Sequence, residues 1–228
     1  MKLILRVGGH LLFKEDSHID ARLVKAYVRI IKELREEGHM IHLVVGGGDE
    51  ARKYISALSE LRAPKAIVDY VGTIITRANA YLFLTALGEL AFPLVPESYK
   101  ELLNALSSGK VVVCGGLQPG QSTVAVAALM AETVKADMLI NATDVDGIYT
   151  ADPKIDPSAK LLRSISAKEL LRVLRSGRAP GTYQMFDEVA LCIIMRSKIK
   201  AWVINGYQPQ NILKLVRGEH VGTLVLPD

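Results

Sequence analysis

At 228 residues, 50% hydrophobic and 23% charged, the chain can bury one sizeable core and lies within reach of a single α/β domain. Its formal net charge of +4 is spread along the chain without a Lys/Arg block, which suits attraction of small anions and argues against a nucleic-acid footprint. No apolar run approaches the roughly 18 residues of a membrane span. The two cysteines, Cys114 and Cys192, match no metal spacing and read as small hydrophobes in a reducing compartment.

The N-terminus goes straight into a strand, 2–7, too short and too soon interrupted for a secretory signal; the expectation is a soluble, cytoplasmic protein. This strand exits into Gly8-Gly9-His10, where two glycines let the backbone approach an anion and Arg6 can supply charge. A plain turn is the simpler account of the Gly pair taken alone. Leu23, Tyr27, Ile30, Ile31 and Leu34 then repeat at helical spacing, with Asp20 as N-cap and Gly38 as the C′ stop. A second strand, 40–45, exits into Gly46-Gly47-Gly48-Asp49-Glu50-Ala51-Arg52. Three glycines at a helix start make an anion site from exposed amides and the positive end of the dipole, and Arg52 can return to the same phosphate. Neither a dinucleotide fingerprint nor a Walker loop fits, since no Gly stands at 51 and no G-x-x-x-x-G-K-[ST] occurs.

A helix beginning at Asp69 carries Arg77 and Asn79 in an apolar setting, where each wants a partner, ionic or ligand. Strands are expected at 92–95 and 110–114. The latter exits into Gly115-Gly116-Leu117-Gln118-Pro119-Gly120-Gln121-Ser122-Thr123, ahead of a helix, 125–134, that is apolar on nearly all sides and so buried. Gln118, Gln121, Ser122 and Thr123 can recognise a base or sugar edge while helix amides hold phosphate; the other reading is a long turn with Ser122 as N-cap. A strand at 138–142 opens into Thr143-Asp144-Val145-Asp146-Gly147-Ile148-Tyr149-Thr150-Ala151-Asp152-Pro153. A calcium loop is excluded there, because its Gly falls at the wrong position and the terminal Glu is missing. Tyr149 can stack on a nucleobase and Asp152 can accept from a ribose, or the segment is a polar loop with a half-buried Tyr. Residues 152–164 are the most irregular stretch and suggest a small hairpin. Ser166-Ala167-Lys168-Glu169 has capping-box spacing and opens a helix stopping near Gly177. Strands at 201–204 and 223–226 complete the pattern.

Strands apolar on both faces and separated by helices imply a mainly parallel central sheet covered on both sides, in one domain with lobes of about 1–135 and 136–228. The five histidines form no ligand spacing, and no nucleophile constellation or protein-built metal site is expected.

Four segments now occur in a recognisable order: Gly46-Gly47-Gly48-x-x-Ala51-Arg52-Lys53-Tyr54, Ile75-Thr76-Arg77-Ala78-Asn79-Ala80, Gly115-Gly116-x-x-Pro119-Gly120 and Thr143-x-Val145-Asp146-Gly147-Ile148-Tyr149. Together they resemble the amino acid kinase superfamily, most closely its uridylate kinase branch of archaeal type, over essentially the whole chain. The resemblance implies a three-layer αβα sandwich, Mg2+ and ATP as donor complex, UMP as acceptor, and a homohexamer. It assigns Gly47, Asp69, Leu117, Gln118, Pro119, Gly120, Gln121, Ser122 and Thr123 to UMP, with Asp69 on the ribose. It assigns Gly9, His10, Gly48, Arg52, Thr143, Asp144, Tyr149 and Asp152 to ATP.

Four positions depart from the family pattern: Arg6 stands where many relatives have Lys, His10 where a smaller or basic residue is usual, Val124 where many have Asp, and Cys192 where some have Lys. The expected chemistry is attack of a UMP phosphate oxygen on the γ-phosphate of ATP. The acceptor is already anionic, so no general base is needed, and positioning plus charge neutralisation carry catalysis, with Arg6 and Arg52 as the candidate cations. The alternatives are a superfamily kinase acting on another acidic acceptor, or a nucleotide sensor or storage protein that keeps the fold without turnover.

Overall fold

The computed structural model describes residues 1–14, 18–153, 155–176 and 185–228. Seven strands, β1 (Lys2–Val7), β2 (Met40–Val45), β3 (Val113–Cys114), β4 (Met138–Thr143), β5 (Ser164–Ser166), β6 (Lys200–Asn205) and β7 (Thr223–Leu226), form one sheet. Their order is β3-β2-β1-β4-β6-β7-β5. The run from β3 to β6 is parallel throughout, β7 lies antiparallel to β6, and β5 is parallel to β7. The helices are α1 (Ala21–Glu36), α2 (Gly48–Glu60), α3 (Lys65–Leu87), α4 (Tyr99–Leu106), α5 (Thr123–Val134), α6 (Ala167–Arg175), α7 (Glu188–Ser197) and α8 (Gln210–Val216).

Successive residues of a strand point to opposite faces, and here each face meets its own core. Ile4 of β1, Val44 of β2 and Leu139 of β4 pack with the apolar faces of α4, α5, α6 and α7. Their neighbours Leu3, Leu5, Ile41, Leu43, Met138 and Ile140 pack with α1, α3 and α8. The result is the expected three-layer αβα sandwich, and it explains why the strands read as continuous apolar runs. Helix α5 lies between sheet and α7, which is why Val124, Ala125, Val126, Ala127, Ala128, Met130 and Ala131 are all buried.

Local signals act as the sequence suggests at several ends. The Asp20 carboxylate accepts from the Arg22 and Leu23 amides. Helix α1 stops before Gly38, whose φ of +83° is one that glycine adopts without the strain other residues meet. Ser166 caps α6 by accepting from the Glu169 amide; the anticipated stop at Gly177 lies outside the described residues.

Three expectations need correction. Residues 92–95 form no strand: Phe92 donates to the Val111 carbonyl at 2.8 Å, and Pro93, which has no N–H, follows at once. The strand expected at 110–114 shrinks to Val113–Cys114, with Val111 making only an isolated bridge to Ala91. The helix expected to begin at Asp69 begins at Lys65, after Pro64. Strand β5 was not anticipated, since three residues carry no readable alternation.

Candidate active site

Because β1, β2, β3, β4 and β6 are parallel, their carboxyl ends share one edge of the sheet, where open α/β sheets place their ligands. All four singled-out loops leave from that edge. The first two touch backbone to backbone. A Cβ on Gly9 would stand 2.2 Å from the Gly48 nitrogen, and one on Gly48 would stand 2.5 Å from the Gly9 carbonyl carbon. Gly48 also has φ +67°. Glycine is therefore required at both positions by close approach, and at Gly48 by conformation as well.

Among the described residues no side chain caps α2, so its first amides are available to an anion. Asn79, buried on α3, orients them. Its Nδ2 donates to the carbonyl of Gly46 at 2.8 Å and to that of Gly47 at 3.1 Å. In a trans peptide the N–H points opposite the C=O, so the Gly47 and Gly48 amides are turned away from α3. Arg52, one turn in, is exposed and pairs with Asp49 at 2.9 Å.

Arg6 stands near the end of β1, on the α5 and α7 side of the sheet. Its Nη1 donates to Asn141 Oδ1 at 3.3 Å and its Nη2 to Thr123 Oγ1 at 3.4 Å, while its Nε has no partner among the described residues. Among the described residues no carboxylate pairs with it. Burial lowers its pKa to about 10, so it is still a cation at neutral pH. A half-buried cation answered, among the described residues, by two neutral oxygens is costly unless an anion joins it.

The third loop is strapped to α3. The Arg77 guanidinium donates to the carbonyls of Gly116, Leu117 and Glu97 and pairs with the Glu97 carboxylate at 2.9 Å. Thr76 Oγ1 accepts from the Gly116 amide, and Asp69 Oδ2 from the Gly120 amide at 3.0 Å. Leu117 is buried, Gln118, Pro119 and Gly120 are exposed, and Gln121 is half-buried. Ser122 is the N-cap of α5, its Oγ accepting from Val124 and Ala125 while its hydroxyl donates to Asp187. Val124 is buried in the core. A carboxylate nevertheless reaches the start of α5, supplied by Asp187, which also caps α7 through the Ala190 amide. Cys192 is exposed on α7.

The fourth loop separates its three carboxylates. Asp144 lies 3.4 Å from His10 Nε2 and accepts from the buried Thr143 hydroxyl. His10 is held below the ordinary histidine pKa by burial, with Asp144 opposing and Arg6 and Arg52 adding to the depression. Asp146 is instead tied into the turn, accepting from Asn205 Nδ2 at 2.9 Å and from the Tyr149 hydroxyl at 3.4 Å. A hairpin follows, in which Thr150 donates to the Lys160 carbonyl and Leu162 to that of Ile148. Asp152 sits half-buried at its turn, its carbonyl accepting from Ile155 and Asp156.

Arg6, Thr123, His10, Asp144, Gly9 and Gly48 thus gather where β1, β2 and β4 end, whereas Tyr149 and Asp152 lie outward on the hairpin. Sequence reasoning missed Asn141 and Asp187 and left Arg77 and Asn79 undecided. Asn141 carried a signal, as a polar residue inside the apolar run Met138–Thr143. Asp187 carried another, as a capping residue ahead of the apolar run of α7.

The model of the amino acid kinase family matches residues 1–205. Uridylate kinase of Methanothermobacter thermautotrophicus is 44% identical over 229 residues, covering 100% of both chains. Uridylate kinase of Hyperthermus butylicus is 47% identical over 223 residues, covering 98% of this chain and 97% of that one. The crystal structure of uridylate kinase from Archaeoglobus fulgidus superposes with a TM-score of 0.84 at 40% identity, covering 99% of this chain and 100% of that one.

Proposed function

The chain belongs to the amino acid kinase family, and on that premise we propose that it is a UMP kinase, transferring the γ-phosphate of ATP to UMP to give UDP and ADP in pyrimidine nucleotide synthesis. A phosphate oxygen of UMP attacks the γ-phosphorus in line, and the bond to the β–γ bridging oxygen breaks, leaving ADP. The attacking oxygen is anionic at neutral pH, so the chain has only to align the two phosphates and neutralise the charge between them.

The observation that carries this reading is Arg6, a half-buried cation with no counter-anion among the described residues, beside two loops whose backbones meet at an uncapped helix start. Arg6 and Arg52 take the role of catalytic cations, Arg52 by leaving Asp49. UMP is assigned to Gly47, Asp69 and the loop from Leu117 through Gln118, Pro119, Gly120, Gln121 and Ser122 to Thr123. ATP is assigned to Gly9, His10, Gly48, Arg52, Thr143, Asp144, Tyr149 and Asp152. The lobe of about 1–135 thus takes mostly acceptor and that of about 136–228 mostly donor. Among the described residues no group of three or more His, Cys, Asp or Glu could hold a metal. In this reading Mg2+ would be carried mainly on the ATP phosphates and would supply charge neutralisation there.

Further parts of the reading concern assembly and compartment. Tyr54 on α2, Leu61 just after it, and Ile67, Tyr70 and Ile74 on α3 expose apolar surface, and such surface supports a contact between copies within a homohexamer. No helix among the described residues is long and apolar enough to cross a membrane, and free Cys114 and Cys192 support a reducing, cytoplasmic setting. The test is coupled ADP release with ATP and a panel of UMP, CMP, dUMP, AMP, aspartate and carbamate. Turnover with UMP above all others is expected. Equal use of CMP refutes uridine selectivity in the third loop, and binding of UMP and ATP with no ADP released favours a sensor.

A further inference from the structure

Arg6 and Asn141 are register partners on the adjacent strands β1 and β4, and both point to the face that carries α5 and α7. Asn141 is completely buried, yet both ends of its carboxamide are used. Its Oδ1 accepts from Arg6 Nη1 at 3.3 Å, and its Nδ2 donates to the Met185 carbonyl at 3.0 Å. One neighbour can only donate and the other can only accept, so the amide has a single satisfied orientation. Met185 stands two residues before Asp187, whose carboxylate holds the Ser122 hydroxyl at the start of α5. The chain leading into α7 is therefore gripped twice, by Asn141 beneath Arg6 and by Ser122 at the end of the third loop.

We propose that Asn141 is a positioning residue for phosphoryl transfer. It sets the plane of the Arg6 guanidinium and couples that plane to the chain entering α7, without neutralising the charge. Of the five N–H groups of an arginine, those not spent on Asn141 and Thr123 are left for phosphate oxygens. Asparagine suits the task where its isosteres do not. An aspartate would still accept from Arg6 but would turn an acceptor toward the Met185 carbonyl and cancel the cation. A leucine would leave both neighbours unsatisfied. The inference rests on the UMP kinase reading for its chemistry, and on the geometry alone for the coupling.

The test is a double-mutant cycle of Asn141→Ala with Arg6→Ala in the full chain, read as kcat with UMP and as Kd for ATP by calorimetry. A residue acting through Arg6 has nothing left to act on once Arg6 is gone. The expected result is a kcat about 10-fold lower for Asn141→Ala alone, with KM for UMP held within about twofold, and under about twofold further loss in the Arg6→Ala background. Asn141→Asp is expected to lose at least as much kcat as Asn141→Ala although it keeps an acceptor for Arg6. Equal fold-losses in both backgrounds, or wild-type kcat in Asn141→Ala, overturn the proposal. Asn141→Ser carries the same cycle if the alanine variant does not fold. If the unmodified chain binds ATP but forms no UDP, the kinase reading fails instead, and the same non-additivity is sought in the ATP Kd. Additive effects there overturn the coupling.

Discussion

Replacing Arg6 with methionine should separate stability from catalysis. Burial lowers the Arg6 pKa from 12.5 to about 10. At about 1.36 kcal/mol per pKa unit this is a cost of roughly 3 kcal/mol for holding the charge in the free fold. The sign follows from a depressed base: at neutral pH both folded and unfolded chains carry the proton, so the penalty is fully present, and it is relieved only above pH 10 or so. Against it stand two long hydrogen bonds, to Asn141 and Thr123, whose loss costs about 1 kcal/mol each. Arg6→Met should therefore unfold in urea within about 1 kcal/mol of the parent, or slightly later. A typical buried large-to-small change costs about 2–5 kcal/mol by comparison. The same variant should lose about 100-fold or more in kcat/KM for UMP phosphorylation, the scale of removing a preorganised charge from a transfer site. Loss of more than about 2 kcal/mol, with activity retained per folded molecule, would make Arg6 a structural cation with no part in transfer.

Other predictions concern the loops and the core. Arg52→Ala should lower kcat/KM at least ~10-fold, about 1.4 kcal/mol of transition-state stabilisation; unchanged steady-state kinetics removes Arg52 from the mechanism. Gly48→Ala and Gly120→Ala impose comparable backbone strain, at φ +67° and +74°, but only the former meets another backbone. Denaturant unfolding should show Gly48→Ala losing at least about 2 kcal/mol more, and equal losses would deny the close approach of the first two loops. His42 is buried in β2 with its pKa lowered to about 4, first by desolvation and then by Arg35. The unfolded chain therefore binds this proton from pH 6.5 downward while the folded chain resists until about 4. Stability should fall across that window by about 3 kcal/mol through His42. The acid slope of the urea midpoint should flatten in His42→Gln, and an unaltered slope counts against it.

The glycine loops could be read from the sequence because their chemistry is local. Gly46, Gly47 and Gly48 before a helix state an anion site wherever the strand ends. The caps at Asp20 and Ser166 are equally local. What escaped was long-range. Asn79 and Asn141 act on residues 33 and 44 positions away, and spacing says nothing about which loop a buried amide will meet. Asp187 could be recognised as a cap, but its hold on Ser122 depends on α5 and α7 packing together. The roles of Asp144 and Asp146, two residues apart, were undecidable until β6 brought Asn205 to the second. Strand order was hidden for a related reason: alternation tells which face a residue takes, and both faces of this sheet are apolar. Residues 92–95 misled because an apolar run need not be a buried strand: Leu94 is exposed, and Pro93 lacks the N–H that a ladder needs.

The most direct measurement is phosphorus NMR of the full chain incubated with Mg2+, ATP and UMP. The UMP resonance should be replaced by the two resonances of UDP, with ADP appearing in equal amount, and Arg6→Met should bind both nucleotides while this conversion slows about 100-fold or more. ADP and inorganic phosphate without UDP, or UMP and ATP bound and unchanged, would contradict it.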